Sequence, residues 1–255
     1  PAEINKNVTA TVPVWGDCKE TLPLLTQLIQ EKQHKEWLAL FNQYTKDEHD
    51  AVINAELHPT KGELTMGEVI HLLNELTGGN AIVVTDVGQH QMVACRYAKF
   101  NETKSNITSG GLGTMGFALP AAIGAKFGAL DRTVVAVIGD GGFQMTLQEM
   151  GTIMQTGLNV KILILNNRFL GMVRQWQELF NDRRYSFVDI QSPDFVQLAK
   201  AYGIHGASVD DRELLKNALQ TMLDHEGSYL LEVMVGKENN VFPMVPQGCS
   251  VSEIR

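Results

Sequence analysis

The pattern of apolar and polar residues changes near Leu64. Before that point, an apolar stretch at 8–14 is followed by helical patterns at 22–29 and 37–44. A segment of about 40 to 60 residues is marginal for a hydrophobic core of its own. Residues 45–63 are polar, include His58-Pro59 and predict a linker. The first 60 residues therefore do not predict an independent domain.

From residue 64 onward, helical periodicity alternates with short apolar runs. The predicted strands cover 81–85, 134–138, 160–165, 206–209 and 229–235, and the predicted helices cover 65–76, 117–127, 147–155, 172–180, 194–201, 211–223 and a stretch that begins near residue 91. Continuous apolar strands that alternate with helices predict an α/β fold, with a mainly parallel sheet and helices on both faces. Ligands of such sheets bind beyond the carboxyl ends of the strands.

Composition and charge exclude several classes of function. The chain has 21 basic and 29 acidic residues and a net charge of −8, which argues against a nucleic-acid or anionic membrane partner that depends on bulk charge. Cys18, Cys95 and Cys249 have no paired spacing, which predicts a reducing, cytoplasmic compartment rather than disulfides or a zinc site. The longest apolar runs are of strand length, and the chain opens at Pro1 without an initiator Met or a charged-then-apolar leader pattern. We expect the chain to be a piece of a longer protein.

Two short motifs follow neighbouring predicted strands. The sequence GDGG at 139–142 follows the strand at 134–138, and Asn166-Asn167 follow the strand at 160–165. Either motif alone is typical of a turn. Together, a carboxylate and a carboxamide on one edge of the sheet offer the oxygen ligands that Mg²⁺ prefers, and the glycines allow backbone N–H groups to approach an anion. The pair predicts a metal and diphosphate site.

This pair of motifs resembles the signature of thiamine diphosphate enzymes. Four further motifs resemble the catalytic subunits of acetohydroxyacid synthase (acetolactate synthase) in the same order: DVGQHQ at 86–91, SGGLGTMG at 109–116, GMVRQW at 171–176 and VFPMVP at 241–246. The resemblance covers nearly the whole chain and is weakest before Leu64.

The resemblance implies a set of site residues. Asp140, Asn167 and the backbone carbonyl of Phe169 would hold Mg²⁺, and Gln89 and His90 would donate hydrogen bonds to the diphosphate. The residues implied to bind thiamine diphosphate are Gly88, Gln89, His90, Gly113, Met115, Asp140, Gly141, Gly142, Asn167, Phe169, Gly171 and Met172. Two alternatives stay open: His90 as an exposed loop residue, and Met115 as ordinary core packing.

A substrate pocket is also implied, formed by Met172, Val173 and Trp176. Met172 and Trp176 are four residues apart on a predicted helix and so share a face. The resemblance implies that Trp176 contacts the second 2-keto acid and favours 2-ketobutyrate. A Met and an aromatic residue at this spacing are also typical of a protein core, and that alternative remains.

The implied activity is the decarboxylation of pyruvate and the condensation of the remaining two-carbon unit with pyruvate or 2-ketobutyrate, in branched-chain amino acid biosynthesis. The implied cofactors are thiamine diphosphate and Mg²⁺, with FAD in the full-length enzyme. The implied assembly is a homodimer or higher homo-oligomer, and a small regulatory subunit stays open as a partner.

The resemblance also implies that one part of the machinery lies outside this chain. The family supplies an activating glutamate from a separate N-terminal domain, so no catalytic residue is expected here and the isolated chain is expected to be inactive. Residues 1–60 would be the end of a central domain plus linker helices. Residues 61–255 would be the thiamine diphosphate domain, with a C-terminal arm at 242–255 in which Gln247 replaces a usually small residue.

Two other functions compete with this interpretation. Another thiamine enzyme, such as a pyruvate oxidase or a 2-keto acid decarboxylase, would share the metal site but not the context of Trp176 or the VFPMVP tail. A non-enzymatic module for diphosphate binding or assembly would contribute a surface without chemistry.

Overall fold

Helices and parallel strands alternate through the computed structural model, which describes residues 2–237, 240–246, 248–250 and 252–253. The strands are β1 (Ile82–Thr85), β2 (Asn106–Thr108), β3 (Val134–Gly139), β4 (Lys161–Asn166), β5 (His205–Val209) and β6 (Tyr229–Met234). The helices are α1 (Cys18–Leu28), α2 (Lys35–Glu48), α3 (Asn54–Leu57), α4 (Met66–Thr77), α5 (Gln89–Tyr97), α6 (Ala118–Gly128), α7 (Asp140–Thr146), α8 (Met150–Thr156), α9 (Gly171–Phe180), α10 (Phe195–Ala201) and α11 (Arg212–Asp224).

The strands form one sheet in the order β2-β1-β3-β4-β6-β5. Every pairing is parallel. The chain moves outward from β1 to β2 but in the opposite direction from β3 to β4, so the strand order reverses between β1 and β3. Such a reversal opens a crevice at the carboxyl ends of the two strands, where open α/β sheets bind ligands.

The core has one layer on each face of this sheet. Alternate side chains of the strands, such as Val83 and Leu163, pack with α4, α5 and α11, whereas the intervening ones, such as Val84 and Ile164, pack with α6, α8 and α10. Near-continuous burial of the strands is the expected result when helices cover both faces. The predicted mainly parallel sheet with helices on both faces is therefore confirmed.

The chain divides into two compact units, 1–50 and 51–255. None of the described residues 2–50 is buried, and the apolar side chains of α1, including Leu22, Leu25 and Leu28, are exposed. None of the helices among the described residues is long and apolar enough to cross a bilayer. The predicted division into domains at 60/61 remains a prediction.

Several local predictions need correction. Residues 45–63, predicted as a linker, are helical up to Leu57, because Ile53 and Leu57 lie four residues apart and pack against the core of the second unit. Helix α3 ends at Leu57, just before His58-Pro59, since a residue that precedes proline disfavours the helical conformation. The short strand β2 was not predicted, and α7 begins before the predicted helix at 147–155.

The carboxylate of Asp86 joins three segments at the carboxyl end of β1. Its side chain is fully buried, and its two oxygens accept hydrogen bonds from the N–H groups of Gly116 (3.0 Å) and Ala118 (2.9 Å). A Cβ atom at position 142 would lie 2.3 Å from Asp86 Oδ1, so only glycine allows the first turn of α7 to approach this closely. Asp86 thus fixes the glycine-rich loop and the start of α6 against β1.

We expect Asp86→Asn to lower the free energy of unfolding by about 1–3 kcal/mol, because the new NH₂ group would face a backbone N–H in a buried place. Urea unfolding measures this loss. Asp131→Asn, which changes an exposed aspartate, is the matched control and should leave the midpoint unchanged. Equal midpoints for the two variants would contradict the role of Asp86.

Candidate functional site

A pocket lies at the carboxyl ends of β1, β3 and β4. It brings together the predicted site residues other than Gly113 and Trp176, namely Gly88, Gln89, His90, Met115, Asp140, Gly141, Gly142, Asn167, Phe169, Gly171, Met172 and Val173. The parallel sheet explains this convergence, because the loops that follow its neighbouring strands open on one edge. The roles of these residues remain predictions.

Asp140, the first residue of α7, contributes a buried carboxylate to the pocket. It is 1% exposed, and its Oδ2 atom has no hydrogen-bond partner among the described residues. Burial raises its pKa to about 6, although the N–H groups of Asp140, Gly141 and Arg168 and the nearby hydroxyl of Ser192 oppose the rise. A buried carboxylate oxygen without a partner is costly. A cation at this oxygen would remove the cost, so the residue fits a metal.

Asn167, the residue directly after β4, contributes a carboxamide. Its Oδ1 accepts a hydrogen bond from the N–H of Phe169 (3.1 Å), and its Nδ2 donates a long bond to Gln89 Oε1 (3.5 Å). The loop is held against the segment at 188–190, since Leu170 N–H donates to the carbonyl of Val188 (2.8 Å). These bonds place Asn167 and Phe169 on the wall of the same pocket as Asp140.

The chemistry of these donors suits Mg²⁺ better than a metal of the zinc class. Among the described residues, no group of three or more His, Cys, Asp or Glu side chains is placed to hold a metal. The predicted set is instead one carboxylate, one carboxamide and one backbone carbonyl. Oxygen donors of this kind suit Mg²⁺, which keeps further positions for phosphate oxygens and water.

Gln89 and His90 form the first turn of α5, which begins earlier than the predicted residue 91. His90 is 5% exposed and packs beside Gly139, so the alternative of an exposed loop histidine is wrong. Burial lowers its pKa to about 4, although Asp86 opposes the shift, and the ring is neutral at pH 7. Its Nε2 is buried and has no partner within the described part of the chain. A neutral imidazole has one N–H, which could serve a phosphate oxygen.

Gly171 allows α9 to begin against two carboxamides. A Cβ atom at this position would lie 2.2 Å from Gln89 Oε1 and 2.7 Å from Asn167 Nδ2. Both separations are too short for any side chain, so the presence of glycine here is explained by close approach. The start of α9 is thereby held against both sides of the pocket.

Met115 lines the pocket, whereas Gly113 does not. The Cε atom of Met115 lies 3.8 Å from the place of a Cβ at Gly141. Gly113 has a φ of 62°, a conformation that favours glycine, and its N–H donates to the carbonyl of Ser109 (2.9 Å). Gly113 therefore shapes the loop that carries Met115.

Helix α9 supplies Met172 and Val173 to the pocket wall, but Trp176 lies one turn further along. The Trp176 side chain is 40% exposed and packs on Phe180, with ring centroids 4.9 Å apart. The core alternative for Trp176 is therefore wrong, and its contact with a substrate remains a prediction.

Sequence reasoning missed two buried polar residues of α9. Arg174 is 6% exposed, and its guanidinium lies over the rings of Phe169 (5.4 Å) and Tyr185 (4.8 Å). Gln175 is 0% exposed and hydrogen-bonded to Gln89 and to the backbone of Val241. Both stand within the motif GMVRQW, but the motif assigned them no role, because their partners are remote in sequence.

The predicted C-terminal arm is described in part. Val241, which directly precedes the arm, is 8% exposed, whereas Val245 within it is 39% exposed. Gln247, whose effect on closure of the arm was left open, lies outside the described residues. The arm as a cover for the pocket remains a prediction.

Comparisons with known proteins agree on one family. Residues 86–233 match the family model described as thiamine pyrophosphate enzyme, C-terminal TPP binding domain. The chain is 42% identical over 261 residues to the acetolactate synthase isozyme 2 large subunit of Escherichia coli, with 100% of this chain and 45% of that protein covered. It is 40% identical over 256 residues to the acetolactate synthase large subunit of Lactococcus lactis, with 99% and 43% covered. The chain thus spans less than half the length of these relatives.

A solved structure has a similar fold. The thiamine diphosphate-dependent 4-hydroxybenzoylformate decarboxylase of Rhodococcus jostii superposes with a TM-score of 0.64 at 27% identity. The match covers 69% of this chain and 33% of that one.

We expect Asp140→Asn to stabilise the metal-free protein. The folded-state pKa of about 6 lies above the ordinary 3.8, so ionisation above pH 6 penalises the fold, and the penalty fades as the pH falls toward 4. At pH 7.5 the variant should gain roughly 2 to 3 kcal/mol in free energy of unfolding. Urea unfolding in a chelator at pH 4 and 7.5 measures the gain. Asp189→Asn, which changes an exposed aspartate, is the control. A gain that does not depend on pH would refute this account.

Proposed function

The chain belongs to the thiamine pyrophosphate enzyme family, and from that premise we propose that it is part of the catalytic subunit of an acetolactate synthase. The observation that carries the proposal is identity of about 40% along the whole chain to acetolactate synthase large subunits. The resemblance drawn from the sequence motifs is thereby confirmed at the level of the family. The activity, substrates and partners of the whole protein are part of the proposal.

In this proposal, Asp140, Asn167 and the carbonyl of Phe169 hold Mg²⁺. The buried Oδ2 of Asp140, which has no partner among the described residues, supports this assignment. Gln89 and His90 donate to the diphosphate, and the neutral state of His90 suits a single N–H donor. Since the chain carries a net charge of −8, the metal offsets the charge of the diphosphate.

Bound thiamine diphosphate supplies the electron sink that permits decarboxylation of a 2-keto acid and transfer of the remaining two-carbon unit. The residues of this chain bind and orient. Met115, Met172 and Val173 form an apolar wall that would hold the rings of thiamine diphosphate in place and exclude water. The loops after β1, β3 and β4 would hold the diphosphate end of the cofactor.

We propose that the substrates are pyruvate and a second molecule of pyruvate or 2-ketobutyrate, in branched-chain amino acid biosynthesis. The proposed assembly is a cytoplasmic homodimer or higher homo-oligomer that also contains FAD. These points rest on the resemblance to acetolactate synthases.

The activating glutamate belongs to the part of the enzyme that this chain does not supply. No glutamate of the described residues lines the pocket. Glu149 accepts a hydrogen bond from the Thr152 hydroxyl (3.0 Å), and Glu178 pairs with Arg174 (3.4 Å). We therefore propose that residues 1–255 alone are inactive.

An assay of the full-length protein tests the function. With pyruvate, thiamine diphosphate and Mg²⁺ it should form acetolactate, detected as acetoin after acidification. Asp140→Ala should weaken Mg²⁺-dependent binding of thiamine diphosphate by about 100-fold or more in titration calorimetry, because the loss of an outer-shell partner of a metal already costs about 10–100-fold. Residues 1–255 alone should form no acetoin until the rest of the subunit is added. Acetoin from this chain by itself would overturn the proposed inactivity.

A second candidate is a 2-keto acid decarboxylase, which the similarity to the Rhodococcus jostii decarboxylase favours. The same assay separates the candidates. A decarboxylase would release free acetaldehyde, and a pyruvate oxidase would consume oxygen. Binding of thiamine diphosphate without turnover by the full-length protein would instead favour a non-enzymatic module.

We expect Trp176→Leu in the full-length enzyme to lower the ratio of acetohydroxybutyrate to acetolactate. A contact with one methylene is worth about 1–3 kcal/mol, so the ratio should fall about tenfold or more. Competition between pyruvate and 2-ketobutyrate, with both products quantified, measures the ratio. Trp37→Leu, at an exposed tryptophan of the first unit, is the control. An unaltered ratio would argue against the role of Trp176.

A further inference from the structure

Gln175 lies between Gln89, which lines the pocket, and the C-terminal segment at 241–244. Its side chain is fully buried in the middle of α9. Its Oε1 accepts hydrogen bonds from Gln89 Nε2 (2.9 Å) and from the N–H of Val241 (2.9 Å). Its Nε2 donates to the carbonyl of Val241 (2.8 Å) and to Met244 Sδ (3.5 Å). The carboxamide therefore uses both acceptor positions and both N–H groups.

The backbone of Val241 fixes the orientation of this carboxamide. A backbone N–H can only donate and a carbonyl can only accept, so Gln175 must turn Oε1 toward the former and Nε2 toward the latter. Gln89 must then present its NH₂ group to Gln175 Oε1. Gln89 thus donates to Gln175, and Gln175 donates in turn to the carbonyl of Val241, while the N–H of Val241 donates back to Gln175.

The orientation of Gln89 in turn sets that of Asn167, the predicted metal ligand. With one N–H of its NH₂ group donated to Gln175, Gln89 turns Oε1 toward Asn167, whose Nδ2 donates to it (3.5 Å). The oxygen of Asn167 then faces the N–H of Phe169, from which it accepts (3.1 Å). We call the side chains of Asn167, Gln89 and Gln175, with the backbone of Val241, the carboxamide relay.

We propose that Gln175 is a positioning residue that couples the segment at 241–244 to the carboxamides of Gln89 and Asn167. This inference rests on the proposed function insofar as it treats the pocket as a cofactor site. A ligand that draws on Gln89 or Asn167 changes the bond that Gln175 makes with Val241. The C-terminal segment is thereby held according to the state of the pocket.

Hydrogen exchange of the Val241 amide in the full-length protein tests the coupling. Gln89 bonds to Gln175 rather than to Val241. Gln89→Met should nevertheless speed exchange of the Val241 amide, because it removes the hydrogen bond between Gln89 and Gln175. The expected change is about threefold to tenfold, the effect of one hydrogen bond. In the Gln175→Met background, the same Gln89 substitution should have no further effect. Since Met is close to Gln in volume but lacks the carboxamide, this non-additivity would report the hydrogen bonds of Gln175 rather than its bulk.

Gln177 provides a matched control on the same helix. Its Oε1 accepts from the N–H of Ser186 (2.9 Å) and its Nε2 donates to the carbonyl of Ser186 (3.1 Å), which is the arrangement that Gln175 makes with Val241. Gln177→Met should therefore leave Val241 exchange unchanged. It should also leave intact the change in Val241 exchange caused by thiamine diphosphate and Mg²⁺, which Gln175→Met should abolish.

The outcomes separate this inference from the proposed function. The effect of Gln89→Met is measured without cofactor, so it tests the coupling even if the protein does not bind thiamine diphosphate. If the cofactor binds and Gln89→Met leaves Val241 exchange unchanged, the coupling is refuted while the proposed function stands. Should Gln175→Met fail to fold, the single Gln89→Met variant still decides the question.

Discussion

The parallel alignment of β1, β3 and β4 is the constraint on which the candidate site depends. Because these neighbouring strands run in one direction, the residues that follow them meet at a single edge of the sheet. Asp140 and Asn167 are separated by a helical crossover in the sequence, yet they line one pocket with Gln89. In an antiparallel arrangement, one of the two loops would lie at the opposite end. The helices on both faces follow from the same alignment, since parallel strands require crossovers.

Much of the second unit could be predicted from sequence because burial on two faces makes its strands continuously apolar. The runs at 134–138 and 160–165 correspond to β3 and β4 within one residue at each end. Their polar loops then predicted a site at a known edge. The three-residue β2 was missed because so short a segment has no periodicity. The helical turns up to Leu57 were missed because the role of their apolar residues, Ile53 and Leu57, is visible only once the core that they pack against is known.

The partners of buried polar side chains could not be read from the sequence. Asp86 stood within a recognised motif, but nothing indicated that its carboxylate would receive the N–H groups of Gly116 and Ala118. Polar residues of a helix usually face solvent, but Arg174 and Gln175 are both buried. Their partners lie in other loops, so the tertiary fold has to be known before their roles can be inferred. The local pattern of apolar residues locates helices and strands, whereas the hydrogen bonds of buried polar groups depend on residues that are remote in sequence.

The carboxamide relay contains no ionisable group. Amides are dipoles, so the relay is buried without the desolvation of a full charge that Asp140 requires. Its hydrogen bonds do not change with acidity, whereas the charge of the neighbouring carboxylate does. Shape and charge in this pocket therefore depend on different groups: the amides hold the walls in one arrangement, whereas ionisation of Asp140 changes how strongly those walls would attract a cation.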